Sequence, residues 1–360
     1  MNMNSEYYIN LNEEIKEYFK ILSPEFPEWL FDYINTKEMD RIGKISMSCG
    51  TDYSKCFDVK YFYSNLDHSV AVALIIWHFT HDKKQTLAGL FHDIATPVFK
   101  HCIDFMNGDS LTQESTEERT TDMIRNSKEI MSLLNRDNIK LESVTDYKIY
   151  PIADNDTPKL SADRFEYNFS SGLTFFRVWD LDRIRKIYNN VVIAKNEDGI
   201  IELTFKDKEV CEEYIRTVSR LWPEWVSDKD RCVMQFLADI CKSMNNAGYL
   251  TIDDLYTLSE KEIINKIINC EDKYIRDSFK KFRSATKVYK SDTYIENKYI
   301  TDVKAKKRYV VPLVLTKDGC IRINKVSKCA DELIYNYLRN PNGGYYIYFD
   351  FEFTPYERDM

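Results

Sequence analysis

Hydrophobic and polar positions alternate with two different periods along this chain. Residues 69–79 (SVAVALIIWHF) form a nearly unbroken apolar run, long enough for a fully buried helix. The polar stretch HDKKQ follows, and a second apolar run over 86–94 predicts an antiparallel partner helix. Further on, apolar alternation on both sides of Asp198-Gly199 predicts a β-hairpin over 191–205. Helical patterns then cover 211–221 and 229–246, and two or three short helices are expected within 252–282. Past Ser284 the pattern becomes strand-like: 309–315, a Lys317-Asp318-Gly319 turn, 320–326, a helix over 327–338, a Pro341–Gly344 turn and a last strand over 345–353. In that strand Phe349, Phe351 and Phe353 share one face. Residues 1–35 predict one or two short helices packed on the domain or at a subunit contact.

Composition narrows the function. The 360 residues carry a formal charge of −8 and lack both the G-x-G-x-x-G and the G-x-x-x-x-G-K-[ST] loop, so phosphate is not expected on a glycine-rich cradle and nucleic acid is an unlikely partner. The basic cluster Lys304, Lys306, Lys307 and Arg308 reads as a solvated strand edge. Nine cysteines without a C-x-x-C pair point to a reducing cytoplasm. The longest apolar run, 70–77, is too short to span a bilayer.

Histidine placement carries the chemistry. All five histidines (His68, His78, His81, His92 and His101) fall between Asp67 and Asp104. Each buried imidazole or carboxylate would cost several kcal/mol without a partner, roughly 2–7 for a neutral polar group. A divalent ion held by His68, His92 and Asp93 satisfies all three, and the mixed nitrogen and oxygen set suits Mn, Fe, Zn, Co or Ni, with Mg also considered. His78 and His81 lie about 15–20 Å further along the helix and read as solvated helix-end residues. Beyond Pro97, which should break the helix, His101 and Asp104 stand one turn apart, where the carboxylate can fix the imidazole tautomer. Ser110-x-x-Gln113 fits a capping box opening a helix through ESTEERTTDMIRNSK, with Glu114, Glu117 and Glu118 as its acidic first turn.

The arrangement H…HD…D resembles the HD-domain superfamily of metal-dependent phosphohydrolases. YSNLDHSVAVA is similar to that family's YSR-x-x-HS helix start, and LAGLFHDIATPVFKHCID to its LLHDIGHxPFSHxxD segment. Most similar is the branch of deoxynucleoside triphosphate triphosphohydrolases, over roughly residues 36–285. The resemblance implies a mainly α fold: an N-terminal extension over 1–35, an HD domain over 36–283 with its metal core in 60–170, and a C-terminal α/β lobe over 284–360. It implies a fourth ligand, Asp163 of SADRFEY; Asp154 and Asp156 are rivals, and Asp163 ranks first because it opens a helix. It implies catalytic roles for His101, Asp104 and Thr96, the last standing where the family has a second histidine. Substrate contacts are expected from Asn65, Gln113, Arg164 and Tyr167, and Arg41 reads as structural. The expected reaction is hydrolysis of a phosphate ester or anhydride, most plausibly of a nucleotide, at one divalent metal ion. The alternative is a metal- and nucleotide-binding sensor or oligomeric scaffold of the same fold with reduced turnover. A homo-oligomer is compatible with the aromatic-rich ends.

Overall fold

The computed structural model describes residues 5–115 and 119–357. The protein is mainly helical, with two small sheets. Two antiparallel helices, Asn65–Thr80 and Lys83–Phe91, form the centre. The first is buried from Asn65 to Ile76, and a capping box starts it, with Ser64 accepting from the Asp67 amide and Asp67 accepting from the Ser64 amide. His81 ends it in the left-handed conformation at φ 48°, and both His78 and His81 are exposed there. Gly89 lets the two helices close up: a Cβ at that position would lie 2.2 Å from Ile76 Cδ1. That approach brings the end of the second helix against the start of the first.

Around this pair pack the Glu13–Leu22 helix, the Ala162–Ser170 helix and the 19-residue Asp228–Asn246 helix. Strands β1 (Val191–Lys195) and β2 (Ile201–Phe205) make an antiparallel hairpin whose turn holds Gly199 at φ 76°. Strands β3 (Tyr289–Ser291) and β4 (Tyr299–Thr301) flank the later β7 (Tyr346–Phe349). Strands β5 (Leu313–Thr316) and β6 (Gly319–Arg322) pair antiparallel, and β5 joins β2 in parallel. The hairpin and the C-terminal segment therefore share one sheet. A buried ion cluster seals the join. Arg322 Nη1 lies 2.6 Å from Glu202 Oε1, and Glu202 is fully buried.

Four local expectations are corrected. Residues 323–326 turn into a short helix instead of continuing β6. Residues 309–312 belong to no strand. Gln113 does not close a capping box: its φ is 57°, and the turn is organised by Asp109, whose carboxylate accepts from the Thr112, Glu114 and Ser115 amides. The next helix begins only at Thr120, and Glu117 and Glu118 lie outside the described residues. The last strand is shorter than the expected 345–353, ending at Phe349; around and beyond its end Phe349 and Phe353 are buried while Asp350 and Glu352 are exposed. No helix among the described residues is long and apolar enough to cross a membrane.

Candidate active site

The helix ends deliver three donor atoms to one point. His68 Nε2 lies 3.2 Å from His92 Nε2 and 3.2 Å from Asp163 Oδ1, and His92 Nε2 lies 3.8 Å from the same oxygen. Each imidazole is anchored through its other nitrogen. His92 Nδ1 donates to the Gly89 carbonyl at 2.7 Å, and His68 Nδ1 makes a very short contact with Glu166 Oε2. Because a carbonyl only accepts, the His92 proton sits on Nδ1 and its Nε2 presents a lone pair. His68 is placed the same way by a buried carboxylate, the usual support behind a metal-ligating histidine. Two imidazole nitrogens and a carboxylate oxygen facing each other at these distances call for positive charge between them, a proton on His68 or a metal ion in its place. Burial opposes charging His68, yet Glu166 and Asp163 outweigh it and raise its pKa to about 9. Burial likewise works to raise Asp163, but the two imidazoles hold it well below the usual carboxylate range. The donor set fits a divalent metal of borderline type.

Glu166 is itself locked. Tyr63 and Tyr18 donate to its Oε1 at 2.8 and 3.3 Å, and Ser170 donates to its Oε2 at 3.1 Å. Tyr18 comes from the Glu13–Leu22 helix, so the N-terminal segment supports the metal centre as well as the core.

Asp93 sits beside the cluster, its Oδ2 3.7 Å from His92 Nε2 and 3.9 Å from His68 Nε2. That oxygen also accepts from Lys100 Nζ at 2.9 Å. Lys100 is buried, with φ 45° and ψ −118°, a backbone conformation that costs on the order of 1–3 kcal/mol in a non-glycine residue. Its ammonium also donates to Asn65 Oδ1. Burial works against the charge on Asp93, but Lys100 and the imidazoles keep its pKa well below the ordinary value.

The cluster opens into a cavity of about 650 Å³, within the range of small-molecule sites. His101 and Asp104 pair as expected, Nδ1 to Oδ2 at 3.0 Å, with Asp104 fully buried. Gln113, Arg164 and Tyr167 line the cavity; Asn65 and Thr96 do not. The Asn65 side chain is spent beneath the site on Lys100 and on the Asp93 carbonyl. Thr96 lies behind the wall, where its carbonyl and that of Ile94 accept from Arg41 at 2.8 and 2.9 Å. Arg164 pairs with Asp154 at 3.0 Å, and the ligand atoms that converge are those of His68, His92 and Asp163, not of Asp154. Tyr167 packs edge-on against Trp225, ring centroids 5.3 Å apart.

No protein-family model and no curated protein matches the chain. Many solved structures share its fold, two of which illustrate the likeness. One is a hypothetical protein from Aquifex aeolicus, 16% identical, with a TM-score of 0.64 over 90% of this chain and 93% of that one. The other is a phosphohydrolase. It comes from Bacteroides thetaiotaomicron and is 14% identical, with a TM-score of 0.61 over 90% of this chain and 96% of that one. At such identities the likeness extends to the fold.

Several residues in and behind the site escaped sequence reasoning. Glu166 carried a usable signal, because it follows Asp163 by three residues and so shares its helix face. Trp225 lines the cavity as well. Lys306 and Arg308, read as a solvated edge, reach it from the C-terminal segment. A π-helical turn, Ser171–Phe175, extends the Asp163 helix and brings Thr174 and Phe175 to the wall; such turns recur at functional sites. Nothing in the local sequence announces it.

Proposed function

We propose that the protein is a metal-dependent phosphohydrolase of the HD superfamily, acting on a phosphate ester or anhydride of a nucleotide. The convergence of His68, His92 and Asp163 carries the reading, supported by the phosphohydrolase among its structural neighbours. Asp93 would complete the set as fourth ligand. A divalent ion held there would polarise a phosphoryl oxygen and lower the pKa of a bound water. The chain's own residues do the rest. Glu166 and the Gly89 carbonyl fix both imidazoles; Lys100 balances the Asp93 carboxylate; Asp104 holds the proton of His101 on Nδ1. His101 is then a hydrogen-bond acceptor at Nε2, ready to take a proton during transfer. The aromatic wall of Tyr63, Tyr167, Phe175 and Trp225 gives a flat apolar group such as a base somewhere to pack.

The test is incubation of Mn-loaded protein with NTPs, dNTPs, nucleoside monophosphates and cyclic nucleotides, resolved by ion-pair chromatography. Release of phosphate or triphosphate that stops on chelation and in Asp163→Ala is the expected result; turnover that survives both would overturn the reading. Thr96, standing outside the cavity, favours a second reading, a nucleotide sensor with little turnover. Metal retained and nucleotide bound without product would select it.

A further inference from the structure

An extended strap, residues 302–312, crosses from the Asp228–Asn246 helix to the start of β5 and closes one wall of the cavity. It is fastened along its length. Arg231 Nη1 donates to the Val303 carbonyl at 2.5 Å, the Lys306 amide to the Ser110 carbonyl at 3.1 Å, and the Val311 amide to the Pro158 carbonyl at 2.7 Å. Lys307 turns outward and donates to the Leu338 carbonyl at 2.8 Å. Lys306 and Arg308, two residues apart on extended backbone, both turn toward the cavity.

Charge accounting singles out Arg308. Lys100 is paired with Asp93 at 2.9 Å, Arg164 with Asp154 at 3.0 Å, Lys159 with Asp198 at 3.0 Å and Lys306 with Glu114 at 3.7 Å. Among the described residues no carboxylate forms an ion pair with Arg308. Its Nη2 donates instead to two neutral acceptors, Gln113 Oε1 and, at 3.1 Å, His101 Nε2. Those contacts aim the guanidinium without giving it an ion pair, and its Nε and Nη1 donors are without a partner among the described residues; the buried Asp230 carboxyl, which lines the same cavity, attracts it only from beyond ion-pair distance. A half-buried cation without an ion pair is costly, and a planar guanidinium matches the oxygens of a phosphoryl group.

We infer that Arg308 is the anion anchor of this cavity, receiving phosphoryl oxygens opposite the His68–His92–Asp163 cluster, with Gln113 and His101 as the residues that position it. The inference rests on the phosphohydrolase reading for the identity of the anion. It makes the C-terminal segment part of the substrate site, and it recasts Gln113 as a positioning residue.

The experiment is calorimetric titration of inorganic phosphate into wild type, Arg308→Ala and Arg308→Gln, each with its metal content measured, with and without Mn. The expected result is full metal content in both variants, phosphate binding weaker by about 10- to 100-fold, and a matching rise in KM larger than any fall in kcat. Wild-type phosphate affinity in either metal-replete variant would overturn the inference. Should Arg308→Ala melt early, Arg308→Gln decides alone, since it keeps a polar amide on the strap while removing the charge and the guanidinium fork. Failure of the parent reading looks different: wild type would bind phosphate equally well after chelation, and the Arg308 variants would still lose it.

Discussion

Replacing Glu166 with Gln tests whether the metal centre is built from behind. The carboxylate is fully buried and takes four donors: His68 Nδ1, the hydroxyls of Tyr63 and Tyr18, and Ser170 Oγ. Glutamine keeps the shape but has one acceptor oxygen and one donor nitrogen. If the oxygen stays with the tyrosines, the amide nitrogen meets His68 Nδ1–H, and the imidazole must move its proton to Nε2, the atom that faces the cluster. If the amide flips, the tyrosine hydroxyls must rotate to accept, and His68 still loses the charge that makes it a stronger ligand. Either way metal affinity should fall by about 10- to 100-fold, or about 1.4–2.7 kcal/mol. Folding stability without metal should drop by roughly 1–3 kcal/mol. Competition against a chromophoric chelator measures the first and urea denaturation the second. A folded Glu166→Gln protein with wild-type metal affinity would refute the argument.

Two further predictions concern stability. Glu260 is buried with Oε1 unpartnered, and burial together with Asp52 pushes its pKa up to about 8 from an ordinary 4.5. Its folded pKa exceeds the unfolded one, so the folded state alone holds the proton between those values, and stability falls as pH rises through that window. Glu260→Gln should be neutral near pH 4.5 and stabilising above pH 8, by on the order of 3–5 kcal/mol at most; melting curves that stay parallel from acid to alkaline pH would sink it. Arg322→Met strands the buried Glu202 carboxylate and should cost about 3–5 kcal/mol in urea, whereas the double variant Arg322→Met/Glu202→Met should recover most of it. A single variant within about 1 kcal/mol of wild type would show that the cluster is not what joins β2 to the C-terminal segment.

The metal-centre candidates were legible because burial made them expensive. His68 and His92 stand in apolar runs, where an imidazole needs a reason, and helix-pairing logic brings them within 3.2 Å of each other. Asp163 could be ranked over Asp154 because helices hold side chains more firmly than loops; Asp154 proved to be the counter-ion of Arg164. His78 and His81 were legible as surface residues from distance along the helix alone. What could not be read came from contacts distant in sequence. Lys304 to Arg308 looks like any solvated charge run until residues 302–312 are seen fastened across the cavity. Thr96 and Asn65 lie next to site residues in sequence, yet the turn after Pro97 and the Lys100 side chain keep them out of the cavity. The capping box at Ser110 failed because the Gln113 amide it needs donates to the Asp109 carbonyl at 3.0 Å, and a pattern of residue types does not say which acceptor wins.

The strap also sets an order in time. The histidines and Asp163 are brought together within about a hundred residues of chain, but the contact between His101 and Arg308 spans 207 residues. Contacts that distant form late, because loop-closure entropy must be met first. A chain emerging from the ribosome would therefore complete the His68, His92 and Asp163 cluster well before Arg308 could reach His101.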